Sequence, residues 1–75
     1  MNNVRRNQIR QAIQKIDNIV NALQIILCDE QDAYDSMPDN LKESEKGMNS
    51  MDAQENIEAA IDALEEASSC LEEIC

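Results

Sequence analysis

Two long stretches of this chain repeat apolar residues at alternating steps of four and three. In the first, Ile9, Ile13, Ile16, Val20, Leu23, Leu27 and Tyr34 form a heptad seam interrupted at Glu30. That is the period of an α-helix packing along one stripe. A second row, Ala12, Ile19, Ile26 and Ala33, runs beside it at seven-residue spacing. Two adjoining rows make a stripe wider than one neighbour covers. The first helix, predicted over about residues 3–35, is therefore expected to touch more than one partner. The second pattern is Ile57, Ile61, Leu64, Ser68, Leu71 and Cys75, with Ala53, Ala60, Ala67 and Ile74 alongside. It predicts a helix over about 51–74, with Asn49 or Ser50 as N-cap and Asp52 well placed in the first turn. The small residues of its adjoining row suggest that the large aliphatic residues of the first helix pack over them at close range.

Residues 36–50 read as a corner. Pro38 restricts Met37 to extended backbone, so the first helix should stop at or just before it. Pro38 itself suits the first position of a short helical turn, and Gly47 the left-handed position that ends one. Met37, Leu41 and Met48 are then able to fold back on the hairpin tip. The resulting expectation is a single all-α domain: an antiparallel two-helix hairpin with a short helical turn in the connection, dimerising into a four-helix bundle because of the wide stripe.

Composition supports the helical reading. Tyr34 is the one aromatic residue, and a single Gly and a single Pro leave little for the turns of a β fold. With 75 residues the chain buries only about 60% of its unfolded surface, a marginal amount unless it associates. The longest apolar run, Ile25-Ile26-Leu27-Cys28, is far too short for a membrane span, and no secretory signal is visible. Cys28, Cys70 and Cys75 lack C-x-x-C spacing and read as free thiols. A hairpin turning near residue 43 keeps Cys28 and Cys70 too far apart to bridge. A cytoplasmic location is expected from these features.

Charge is distributed unevenly. Residues 1–28 carry Arg5, Arg6, Arg10 and Lys15 against Asp17, a balance of +3; residues 29–51 carry seven acids against Lys42 and Lys46, −5; residues 52–75 carry eight acids and no base, −8. The basic start of the first helix is best placed beside the acidic end of the second, which selects the antiparallel pairing. The net charge of −10 argues against direct contact with nucleic acid or anionic membrane, since both require a basic footprint.

No catalytic constellation is present. The absence of histidine removes His-based triads, His metal sites and Glu-x-x-His di-iron patterns. Cys28 has no activating base nearby in the pattern and reads as core. Asp29, Glu30, Asp32, Asp35 and Asp39 do not follow the calcium-loop spacing, which needs a glycine at its sixth position. No enzyme activity, cofactor or metal is expected.

Candidate partner-binding residues fall in two groups. Glu55, Glu58, Asp62, Glu65 and Glu66 form an acidic ladder on the second helix, either solvated for solubility, docked on a basic protein, or standing in for nucleic-acid phosphates in a basic groove. Tyr34, Met37 and Leu41 form an amphipathic corner, either capping the bundle end or recognised by a partner. Ala12, Ile19, Ile26 and Ala33 are the candidates for self-association. The expected partners are thus a second copy and a basic host or phage protein.

The segment Asp29-Glu30-Gln31-Asp32-Ala33-Tyr34-Asp35-Ser36-Met37-Pro38-Asp39-Asn40-Leu41, followed by Ser44-Glu45 and an Ala/Leu/Glu-rich helix from Ile57 to Ile74, resembles small acidic proteins of phages and mobile elements of Gram-positive bacteria. Their middle carries an acidic run, an aromatic, Asp-Asn/Ser-Met/Leu-Pro-Glu/Asp and a leucine. The resemblance spans roughly residues 16–74. It implies a phage or mobile-element setting and an accessory protein acting by protein–protein interaction, with inhibition of a host protein as one form. A purely structural self-assembling bundle is the alternative.

Overall fold

The computed structural model describes residues Met1–Cys75 and contains three helices: α1 (Asn3–Asp35), α2 (Asp39–Lys42) and α3 (Glu45–Glu72). The two long helices pack side by side, giving a rod of 58 × 15 × 12 Å. Cys75 Sγ lies 3.5 Å from the Arg6 carbonyl oxygen, so the end of α3 meets the start of α1 and the pair is antiparallel.

α1 begins where Asn2, in extended conformation, accepts a hydrogen bond from the Arg5 backbone N–H at 2.9 Å through its side chain. One of the orphan donors of the first turn is thereby satisfied. The helix ends at Asp35, before Pro38, where the Ser36 N–H closes the last turn on the Asp32 carbonyl. α2 is a single turn. Pro38 stands at its N-cap, with φ −60° and ψ 153°, one position earlier than the sequence suggested.

α3 starts at Glu45, about two turns ahead of the expected start near Met51. Ser44, not Asn49 or Ser50, is the N-cap, and its hydroxyl donates to the Leu41 carbonyl instead of capping α3. Gly47 is the physical reason for the difference. It has no positive φ and sits buried in the first turn of α3. A Cβ at this position would overlap the Lys42 carbonyl and Cα. The glycine therefore admits the α2 backbone against α3 rather than ending a helix. Its intrinsic cost within a helix, about 1 kcal/mol relative to Ala, is accepted for that close approach.

The seam is a continuous heptad on both helices. On α1, Arg6, Ile9, Ile13, Ile16, Val20, Leu23, Leu27, Glu30 and Tyr34 are all buried or half-buried, and on α3 so are Gly47, Ser50, Gln54, Ile57, Ile61, Leu64, Ser68 and Leu71. Glu30 thus lies within the seam instead of breaking it. Val20 and Ile61, at 8% and 7% exposure, are the buried apolar residues, and no side chain is fully sequestered. Ser50 and Ser68 are also buried; with Gly47 they keep much of the α3 side of the seam small.

The alanine-rich row of α3 packs differently from the expectation. The row Ala53, Ala60, Ala67 and Ile74 is not what α1 packs over: Ala53 is half-buried, but Ala60, Ala67 and Ile74 are exposed. α1 meets the seam row of α3, and the alanine row remains on the surface beside it. The three cysteines are free and exposed, so Cys28 is not a core residue.

Candidate interaction surfaces

Lettering the seam positions a and d, with Arg6 and Gly47 each at a, fixes what lies on either flank. An antiparallel pair is related by an approximate two-fold axis perpendicular to the helices. Residues with the same heptad letter on the two helices therefore fall on the same face of the hairpin. The g row of α1 is Ala12, Ile19, Ile26 and Ala33; the g row of α3 is Ala53, Ala60, Ala67 and Ile74. Both rows sit on one face.

That face is largely apolar and open. Ile19 and Ile26 are 50% and 51% exposed, and Ile74 41%. Further round on the same side, the c positions of α3 are Asn49, Asn56, Ala63 and Cys70. From Asn49 to Ile74 the g and c positions of α3 contain no charged residue. The self-association candidates Ala12, Ile19, Ile26 and Ala33 are brought together here along α1, with Ala12 half-buried and the other three exposed.

The opposite face carries the acids. Glu58, Glu65 and Glu72 occupy e positions and Glu55 and Asp62 b positions, while Asp52, Glu66 and Glu73 lie at f on the back of α3. All are exposed. The ladder Glu55, Glu58, Asp62 and Glu65 is thus one surface, and Glu66 stands beside it on the outer edge. On α1 the same side offers Arg10, Asp17, Gln24 and Gln31 at e. Arg10 donates to the Asn7 side-chain oxygen at 2.6 Å within its own helix. Arg6 Nε is buried at the hairpin base without a hydrogen-bond partner.

The corner is packed more than it is displayed. Tyr34 and Met37 are half-buried, and the Lys42 ammonium stands 5.4 Å from the centroid of the Tyr34 ring. At that distance the cation is attracted to the ring face by about 0.5–1 kcal/mol. Leu41, at 37% exposure, is the apolar residue of this trio that reaches solvent. Sequence reasoning did not single out Lys42, whose side chain covers Tyr34 and whose backbone packs on Gly47. The proximity of Lys42 to a lone aromatic and a lone glycine was the available signal.

The remaining concavity is an open depression of about 400 Å³ on α1, lined by Asn21, Gln24, Ile25, Cys28 and Asp29. All five residues belong to one helix. No group of three or more Cys, Asp or Glu side chains converges closely enough to hold a metal ion. No helix is long and apolar enough to cross a membrane. No family model matches the chain, and no curated protein or solved structure matches it.

Proposed function

We propose that this chain is a non-enzymatic interaction protein that associates with itself as a homodimeric four-helix bundle and docks a basic protein partner through the acidic side of α3. The observation that carries this reading is the segregation of charge on α3: its acids lie at b, e and f, whereas its g and c positions from Asn49 to Ile74 are uncharged. A helix solvated without specialisation would have no reason to separate the two. The acidic side suits a cationic surface, and the apolar side suits a second hairpin. The resemblance of the corner segment to small acidic phage and mobile-element proteins supports an accessory role in such an element, with inhibition of a host protein as the form of action. In this reading Leu41, at the exposed tip, adds an apolar contact, while Tyr34 and Met37 position it.

The test is affinity capture from a bacterial lysate at two salt concentrations. Wild type is compared with a variant carrying Glu58, Asp62, Glu65 and Glu66 changed to Lys. Specific proteins held by wild type at low salt, released at high salt and lost by the variant support docking through the ladder, because screening weakens exposed charge contacts first. Equal capture by the variant overturns it. Competition by duplex DNA for the captured protein identifies a partner whose nucleic-acid groove the ladder occupies.

A further inference from the structure

A second hairpin stacked on the face formed by the g and c rows runs either the same way as the first or the opposite way. The α1 strip on this face is nearly palindromic about Ala22. Ile19 and Ile26 stand at almost equal separations from it, Ala12 and Ala33 further out, and Lys15 and Asp29 each seven residues away. Lys15 and Asp29 are the charged residues among the g and c positions of α1 between Gln8 and Ala33, and both are exposed. A strip whose apolar residues match on reversal and whose charges become opposite on reversal is complementary to an inverted copy of itself.

Charge along the rod favours the same arrangement. Residues 23–58, the corner half of the hairpin, carry ten acids against Lys42 and Lys46, a balance of −8. Residues 1–22 with 59–75, the base half, carry six acids against four bases, −2. Stacking two copies with corners together would superpose the two −8 halves. Stacking them head to tail sets each corner half against a base half that bears Arg5 and Lys15 on the stacked face. The helices are about 40–50 Å long, several times the screening length of about 8–10 Å at physiological salt. Each end is thus governed by its immediate neighbours rather than by the net charge of the whole.

Resting on the self-association proposed above, we infer that a second copy of this chain occupies the face formed by the g and c rows, inverted end for end. α1 lies against α1 of the partner about a two-fold axis near Ala22, and the small-residue rows of the two α3 helices lie alongside one another. Ile19 of each copy meets Ile26 of the other, and Lys15 meets Asp29. The acidic ladders then face outward on both sides of the bundle, where like charges are kept apart. The isologous contact closes on itself and ends as a dimer.

The experiment combines sedimentation equilibrium with disulfide trapping. The trapped variant is Ala22→Cys in a background in which Cys28, Cys70 and Cys75 are changed to Ser. Residues beside an axis between helices 8–10 Å apart fall within disulfide reach, about 7 Å between Cα atoms. In corner-to-corner stacking the two α1 helices are diagonal and out of reach. The expected result is a wild-type dimer, with most Ala22→Cys protein linked as a dimer after mild oxidation. Lys15→Glu is expected to weaken the dimer about three- to tenfold, since two exposed pairs are lost per dimer, and adding Asp29→Lys to restore it. A wild-type monomer of 8.5 kDa at micromolar concentration overturns the self-association reading and this one with it. A dimer whose Ala22→Cys variant stays unlinked, and in which Asp29→Lys gives no rescue, overturns the inverted stacking alone. Circular dichroism of each variant checks that the helices are retained.

Discussion

Gly47 occupies the most constrained position in the chain. Any side chain there meets the Lys42 backbone, which cannot swing aside as a long side chain would. Gly47→Ala should gain about 1 kcal/mol from helix propensity and lose more than that through the forced separation of α2 from α3, since overpacking typically costs about 1–3 kcal/mol. A net loss of up to about 2 kcal/mol is expected by urea denaturation. An unchanged or raised midpoint would show that the corner yields freely. Lys42→Ala tests the neighbouring contact and should cost less, because a partly exposed cation over an aromatic ring is worth about 0.5–1 kcal/mol.

Among the elements, the two long helices, the stop before Pro38 and the short turn that follows it were legible in sequence, and the start of α3 was not. The alternating steps from Ile9 to Tyr34 and from Ile57 to Leu71 place α1 and most of α3 correctly, because helical period and seam burial act on the same residues. The first two turns of α3 were missed because Gly47 normally signals a helix end. Whether a glycine ends a helix or admits a neighbour depends on tertiary approach, which no local pattern contains. The alanine row failed for a related reason. Size alone did not tell which of two adjoining rows faces α1, and the answer came from continuing the register back to Gly47 and Ser50. Of the candidate surfaces, the acidic ladder could be read from spacing, whereas its separation from the shared apolar g rows required knowing how the helices pair. The seam also sets a mutational contrast. Ile61→Ala, in the most enclosed apolar layer, should cost about 2 kcal/mol, at the low end for buried Ile because the site is not fully sealed. Ile25→Ala, at 65% exposure on the back of α1, should change stability by less than about 0.5 kcal/mol. Paired thermal melts decide this; equal effects would mean that α1 packs through a different face.

At the scale of the whole molecule, a net charge of −10 is carried on a rod in which five of 75 residues are buried. Little enclosed surface opposes that self-repulsion. Added sodium chloride should therefore raise the melting temperature between about 10 mM and 300 mM, as the screening length falls from about 30 Å to well under 10 Å. A decline over that range would mean that attractive ion pairs outweigh the repulsion. The direction is the same for a hairpin and for an inverted dimer, since both carry excess negative charge at the corners.

The close approach at Gly47 also has a kinetic side. Seam layers near the corner join residues separated by short loops, whereas Cys75 and Arg6 at the base are 69 positions apart. Closing a loop costs entropy that grows with its length, so the helices should zip from the corner toward the base. Contacts formed early act on the rate of folding, and those formed late on the rate of unfolding. The single methyl group of Gly47→Ala would thus delay the first layer to close, making that glycine a determinant of how fast the hairpin forms as well as of how well it holds.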